Sequence, residues 1–354
     1  MMPATSEAFL QQAVRHAVDT RTPLKIVGGN SKAFLGREAA GLLLSTLQHQ
    51  GIVNYHPSEL IITARAGTPL SEIEQTLAEQ GQMLAFEPPH FSDQATLGGT
   101  LACGLSGPRR PFTGAARDFV LGCKLINGKA EIVSFGGEVM KNVAGYDVSR
   151  LMVGAMGTLG VLLEVSLKVL PLPALEQTIC FELDIVAAIS KMTELASQSL
   201  PVSGLSYYDG ILYVRLSGGE KAVKASAGKL GGNKAMTDHS FWPRLNEQRL
   251  DFFQGDMNLW RIVVPPAAAE LELAGAWLYD WGGGQRWLKS EEPAQRVFSA
   301  AENAQGHAVL FRSKDRTGDV FQPLSGKLQE LNRNIKQAFD PSGIFNPNRM
   351  YRDW

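Results

Sequence analysis

The residues best placed to do chemistry in this 354-residue chain sit in glycine-bearing segments. The first is Val27-Gly28-Gly29-Asn30-Ser31, directly after the apolar run Leu24–Val27. Successive backbone N–H groups in such a turn can converge on an anion such as a pyrophosphate. An ordinary tight turn reads the same way, because short glycine motifs need context. The second is a block over residues 96–161. It contains Thr96-Leu97-Gly98-Gly99-Thr100-Leu101-Ala102, then Lys141-Asn142-Val143-Ala144-Gly145-Tyr146-Asp147, then Gly157-Thr158-Leu159-Gly160-Val161. Its glycines stand at turn-like positions between apolar runs that read as strands. Glycine is used where backbone bends sharply or approaches another group bare. So many such points in one block indicate a large, flat, phosphate-bearing ligand lying against main chain. A strand–helix dinucleotide fingerprint is not present: no GxGxxG opens a helix, and Gly154, Gly157 and Gly160 sit three apart before a strand. A P-loop lysine is missing as well.

The elements that must position these segments follow from hydrophobic period and turn residues. Ser6 to Val18 has the helix period, with Phe9, Leu10, Ala13, Val14 and Ala17 on one face. Ile52 to Tyr55 and Leu60 to Ala66 read as paired strands around His56-Pro57-Ser58. Thr68 is placed to cap a helix that holds Pro69 and Glu72 in its first turn and ends at Gly81. Phe119 to Ile126 and Ala130 to Phe135 form a hairpin pattern across Asn127-Gly128. Val161 to Leu170 is a strand stopped by Pro171 and Pro173, and this proline pair marks a domain boundary. Beyond it, helix-period segments (Val186 to Ser197, Lys221 to Leu230) alternate with strands such as Ile211 to Leu216 and Arg261 to Val264. A last helix, Leu328 to Phe339, is broken by Asp340-Pro341-Ser342-Gly343.

Composition narrows the classes. Hydrophobic residues make up 44% and charged ones 19%, which fits a globular chain, and the length suits two domains. A formal net charge of -1 with no basic block argues against nucleic acid as the main partner. Cys103, Cys123 and Cys180 have no metal-ligand spacing, so no metal site is expected, and three thiols cannot hold a four-cysteine cluster. No signal peptide or spanning helix is visible. The expectation is a cytoplasmic protein whose membrane contact, if any, is peripheral and made through partners.

The order Thr96-Leu97-Gly98-Gly99, Arg117-Asp118-Phe119-Val120-Leu121-Gly122, Lys141 to Asp147 and Gly157 to Val161 resembles the FAD-binding domain of the vanillyl-alcohol oxidase/p-cresol methylhydroxylase superfamily. The turn at 28–31 matches that superfamily's first pyrophosphate loop. The ending Asp340-Pro341-Ser342-Gly343-Ile344-Phe345-Asn346-Pro347 is similar to the tail of its 2-hydroxy-acid-oxidising members. Within the superfamily the chain most resembles the FAD-binding subunits of bacterial glycolate oxidases, a match that includes Asp280-Trp281-Gly282-Gly283-Gly284-Gln285-Arg286-Trp287. The resemblance implies an α+β fold: a two-subdomain FAD-binding domain over 1–173, an α+β cap domain over 174–335, and a segment, 336–354, returning to the first domain. It implies that FAD lies against Val27, Gly28, Gly29, Asn30, Ser31, Thr96, Leu97, Gly98, Gly99, Ala102, Arg117, Asp118, Gly145, Gly157, Gly160 and Val161. The cofactor is expected to be non-covalent, since the first loop offers Asn30 and Ser31 where covalent members often carry histidine. Cys103 is a second conceivable anchor, or a buried structural thiol. The implied activity is oxidation of glycolate, or D-lactate, with a larger FAD-binding glycolate oxidase subunit and an iron–sulfur subunit as partners. A non-catalytic scaffold of that complex and a free-standing 2-hydroxy-acid dehydrogenase stay open as alternatives.

Such an oxidation needs a base for the hydroxyl proton and a cation for the carboxylate. Histidine suits the first and arginine the second. A His-x-His-x-Gly-Asp-Gly-Asn metal motif, found in related single-chain dehydrogenases, has no counterpart here. The cap-domain histidines are His239 and His307. His307, in the strand-like Gly306-His307-Ala308-Val309-Leu310-Phe311-Arg312, is a candidate base or a structural histidine. Arg261 is a candidate carboxylate ligand or a strand-end ion pair. His90, just before the glycine block, is an alternative base. Arg109 and Arg110 could steer an anion, and Trp281 and Trp287 could stack near the flavin or fill the cap core.

Overall fold

The computed structural model describes residues 6–137, 147–233 and 240–352. The chain divides into two compact units, one of residues 1–105, 115–171 and 323–354, the other of 106–114 and 172–322. Two stretches fall elsewhere than the sequence suggests. Residues 106–114 join the second unit because their partners are there. The Trp281 indole N–H donates to the Gly107 carbonyl (3.0 Å), Arg109 pairs with Glu176 (2.7 Å), and Phe112 packs on the apolar cluster of Leu205 and Leu212. Residues 323–335 join the first unit because helix Gly326–Phe339 is continuous and packs Ile335 and Phe339 on that unit's core.

In the first unit a five-stranded antiparallel sheet runs in the order Ile52–His56, Ile61–Arg65, Val161–Lys168, Val120–Ile126, Ile132–Gly136. Beside it, Leu24–Val27 pairs in parallel with Leu42–Ser45. Helix Leu70–Ala78 buries Leu70, Ile73 and Leu77, an i, i+3, i+7 stripe in which each side chain contributes about 1.5–3 kcal/mol. Thr68 does not cap it. The Thr68 hydroxyl accepts from the Gly51 N–H at 2.8 Å, and Pro69 precedes the helix with no side-chain cap. In helix Ser6–Thr20, Leu10, Val14 and Ala17 are buried, whereas Phe9 is 61% exposed.

The segment expected to be strand-and-turn at 97–103 is a helix, Leu97–Cys103. Thr96 caps it by accepting from the Gly99 N–H (3.3 Å), and burial of Leu97 and Leu101 offsets the poor helix propensity of Gly98 and Gly99. The chain's ending is fastened beside the first glycine turn. The buried Lys336 ammonium donates to the Asp340 carboxylate (2.7 Å), the Thr158 carbonyl (2.7 Å) and the Phe345 carbonyl (3.0 Å). Asn346 accepts from the Ile26 N–H (2.8 Å) and donates to the Met156 carbonyl (2.7 Å).

The second unit is built on a seven-stranded sheet whose neighbours are all antiparallel: Leu175–Glu182, Ile211–Gly218, Val202–Tyr208, Ala276–Asp280, Gln285–Lys289, Leu259–Val263, His307–Arg312. Period-2 alternation gives it two unlike faces. One carries Leu205, Leu212 and Val214, packed with Ala188 and Met192 of helix Ile185–Ser197 and Val223 of helix Glu220–Leu230. Farther along the same face, Trp260, Ile262 and Leu288 pack with Val297 and Phe298 of helix Ala294–Asn303. The register places Arg261, Gln285, Asp280 and His307 on the opposite face.

Candidate functional site

Within the first unit the turn 28–31, the helix Leu97–Cys103 and the loop 156–160 line one recess. Gly28, Gly29, Asn30, Ser31, Thr96, Gly99 and Ala102 reach it, as do Gly157 and Gly160. Val27 and Gly98 border it as well. The two glycine turns have different jobs. Among the described residues, the backbone N–H groups of Gly28, Gly29, Asn30 and Ser31 meet no protein acceptor. Asn30 adopts a left-handed φ of 58°, the alternation that turns neighbouring amides toward a common anion. At the helix, by contrast, the amides are already used. Leu97 N–H donates to the Thr68 carbonyl (3.0 Å), and Gly98 N–H to the Ala66 carbonyl (2.8 Å). The helix therefore supplies a close wall rather than donors. A Cβ on Gly98 would lie 2.8 Å from that of Ala66, so this glycine serves packing on the sheet. A Cβ on Gly29 would fall 1.4 Å from the Gln94 carbonyl oxygen, which leaves no room for any side chain.

Other expected contacts lie away from the recess. Leu97 and Val161 are core residues with no exposed surface. Arg117 and Asp118 are exposed on the short helix Ala116–Phe119, where Asp118 accepts from the Ala115 N–H at 2.8 Å. Gly145, with most of the Lys141 to Asp147 motif, lies outside the described residues. Among the recess residues outside the expected contact set are three polar ones that can meet a ligand, Lys32, Asn346 and Arg349. Lys32 is buried, and its ammonium donates to the Ser31 hydroxyl (3.3 Å) and the His90 carbonyl (3.2 Å), both neutral acceptors. A lysine next to Gly-Gly-Asn-Ser was the available signal for a charged partner to a phosphate. Four free amides with two cations suit a pyrophosphate. Cys103 also borders the recess, but burial pushes its thiol pKa up, against the opposing influence of Lys32 and Arg349. A thiol held protonated is a poor covalent anchor.

His90 has its ring nitrogen Nε2 2.9 Å from the Glu74 carboxylate of helix Leu70–Ala78. Another histidine, His49, forms a group with Glu7 and Glu164 whose ligand-type atoms lie within 4.8 Å of one another. The Lys124 ammonium stands 2.6 Å from Glu7 and 3.9 Å from Glu164, a built-in cation for those two carboxylates.

In the second unit Arg261 and His307 come together. Arg261 faces Val309 and Val263 faces His307, so the two are diagonal neighbours on one sheet face, within reach for long side chains. Arg261 Nε donates to Gln285 Oε1 (2.6 Å), and Gln285 Nε2 donates to Asp280 Oδ2 (3.3 Å). Burial, then the neighbouring Arg110 charge, lowers the Arg261 pKa to about 10, opposed by Asp280, and the side chain stays charged at neutral pH. Desolvation, followed by the charges of Arg261 and Arg110, holds His307 below the ordinary histidine value. Trp281 is buried against this group, with the Arg110 guanidinium 4.2 Å and that of Arg261 5.1 Å from its ring centroid. Trp287 is core, edge-on to Phe253 and Phe311. His239 lies outside the described residues.

Residues 2–136 match the family model described as an FAD binding domain. The chain is 51% identical over 348 residues to the glycolate oxidase subunit GlcE of Escherichia coli (strain K12), covering 98% of each protein. It belongs to the GlcE family. The glycolate oxidase subunit GlcD of Bacillus subtilis (strain 168) is 29% identical over 48% of this chain and 36% of its own length. A D-lactate dehydrogenase of Anaerostipes hadrus is 29% identical over 49% of the chain and 36% of its own. Both matches span only part of those longer proteins. A solved structure of alkyldihydroxyacetonephosphate synthase superposes with a TM-score of 0.67 at 16% identity, covering 98% of this chain and 75% of that one, which shows a shared fold. The fold of this GlcE-family chain is accordingly the α+β FAD-binding type with a second α+β unit. Among the described residues no helix is long and apolar enough to cross a membrane.

Proposed function

We propose that this chain is an FAD-carrying subunit of a glycolate-oxidising complex, acting on glycolate and on related 2-hydroxy acids such as D-lactate. The observation that carries the reading is the 51% identity to E. coli GlcE along essentially the whole chain. The recess of the first unit supports it, since its free amides and its cations match what a pyrophosphate requires. FAD, when bound, supplies the two-electron acceptor for the hydride leaving the substrate α-carbon. The amides of Gly28 to Ser31, with Lys32 and Arg349, hold the pyrophosphate, and the helix Leu97–Cys103 and Gly157 wall it. Binding is non-covalent, consistent with the high thiol pKa of Cys103.

In the second unit Arg261 orients the substrate carboxylate and keeps a second charge-assisted bond to Gln285. His307 accepts the hydroxyl proton at its imidazole nitrogen, the neighbouring guanidiniums favouring the neutral, proton-accepting ring. His90, already paired with Glu74, is the weaker candidate base. The partners are a larger FAD-binding subunit and an iron–sulfur subunit that takes the electrons onward. Any membrane contact of a cytoplasmic complex is peripheral and runs through them.

The purified chain should show the flavin band near ~450 nm. Anaerobic glycolate should bleach it when the partner subunits are present. A chain that carries no flavin would leave a scaffold role. Bleaching without any partner would mark a free-standing dehydrogenase.

A further inference from the structure

In the first unit the segment 87–95 runs as a strap between the helix Leu70–Ala78 and the first glycine turn. It is tied to the helix at two points one turn apart. The Leu70 N–H donates to the Ala95 carbonyl (2.8 Å), and the Glu74 carboxylate holds His90 Nε2 at 2.9 Å. Toward the turn the strap presents main chain. The His90 carbonyl accepts from the Lys32 ammonium (3.2 Å), and the Gln94 carbonyl oxygen lies 1.4 Å from where a Cβ on Gly29 would fall. Phe91, next to His90, has a left-handed φ of 59°, which a bulky residue keeps only where its surroundings over-determine it. Its ring stands edge-on to Phe34, with centroids 5.3 Å apart, and 5.7 Å from the Lys32 ammonium. Lysine is a flexible cation, and fixing it before the ligand arrives removes an ordering cost from binding. The His90 carbonyl and the Ser31 hydroxyl fix this one without neutralising it.

We propose that Glu74 and His90 are positioning residues for the flavin pyrophosphate: their pair fastens the strap, and the strap holds the Lys32 ammonium at the recess. The inference rests on the proposed function for one point, the contact of Lys32 with the pyrophosphate. It makes a prediction that charge alone would reverse. Removing a carboxylate close to an anion site should tighten anion binding by Coulomb's law, whereas loosening the strap should weaken it.

Titration of the flavin-stripped full chain with FAD, read by flavin fluorescence at several salt concentrations, tests this. Lys32→Gln sets the reference, a dissociation constant raised about tenfold with a flatter salt dependence. Glu74→Ala and His90→Ala should each raise it about threefold and flatten part of the same salt dependence. Glu74→Gln keeps an acceptor for the imidazole and should recover part of the loss, and Glu72→Gln on the same helix should change nothing. Glu74→Ala joined to Lys32→Gln should bind FAD no more weakly than Lys32→Gln alone, because the strap acts through that ammonium. Near-UV circular dichroism checks that each variant keeps its packing. The proposal is overturned if Glu74→Ala leaves FAD affinity unchanged or tightens it. It is equally overturned if the Glu74 and Lys32 losses multiply in the double variant, or if the salt dependence of Glu74→Ala stays that of the unaltered chain. Unchanged affinity in Lys32→Gln would sink the pyrophosphate contact on which the strap rests. Glycolate failing to bleach the flavin with partners present would sink the proposed substrate and leave the strap standing.

Discussion

The two candidate sites are built from opposite materials. The recess of the first unit is made largely of main chain, with Lys32 and Arg349 as its cations: unspent amides at 28–31, the helix wall at Gly99 and Ala102, and glycines in the loop 156–160. The face of the second unit is made of side chains: Arg110 and Arg261 lie over the Trp281 ring, Gln285 links Arg261 to Asp280, and His307 feels both guanidiniums. The amide turn has no room for a Cβ at Gly28 or Gly29, yet it offers the same donors to any phosphate. A site of side chains can be retuned residue by residue, and under the proposed function it would set which acid is recognised. Under the proposed function, binding of the cofactor and choice of substrate should thus be separable by mutation.

The sharpest way to break that contrast is Gly29→Ala. With the new Cβ 1.4 Å from the Gln94 oxygen, we expect loss of bound flavin after gel filtration and a stability loss of about 3 kcal/mol in urea titration. Retained flavin with unchanged stability would refute the main-chain account of the recess. Next in size is Arg261→Gln, which should slow glycolate-dependent flavin reduction on the order of a hundredfold while flavin content stays full. A parallel loss of flavin would mean the two sites are not separable. Lys32→Gln should raise the FAD dissociation constant about tenfold, read by flavin fluorescence, and flatten its salt dependence. At saturating FAD the response to glycolate should be unaltered.

The smallest effect concerns pH. His307 is held below 6.5, so its neutral form persists to lower pH than that of an unperturbed histidine. The acidic limb of kcat/KM should therefore lie below that value. Arg261→Gln removes one of the two cations facing the ring, the other being Arg110, and should move the limb upward by less than about one unit. A limb above 6.5 in the unaltered protein would assign the proton to another group.

How much was legible in the sequence follows from the same contrast. Main-chain sites announce themselves through glycine, so the turn after Leu24–Val27 and the wall at 96–102 could be read, as could the hairpin across Asn127-Gly128. The helix Leu97–Cys103 could not, because two consecutive glycines argue against helix and only its cap and buried leucines restore it. Phe9 belongs to the helix period but faces outward, since Leu10, Val14 and Ala17 already fill the contact. Arg261 and His307 were visible as residue types, but their diagonal register was not. Arg110 was harder still, because nothing local says that residues 106–114 leave their own unit.

That excursion bears on how such a protein can be rearranged by evolution or in the laboratory. Exchanging residues 172–322 between two relatives would look like a clean module swap, bounded by a proline pair on one side. It would strand nine residues, 106–114, against a foreign counterpart. The new Trp281 would need the old Gly107 carbonyl, and the new Glu176 the old Arg109. Chimaeras that carry both segments together should fold and keep their substrate preference as a unit, while single-segment swaps should lose it.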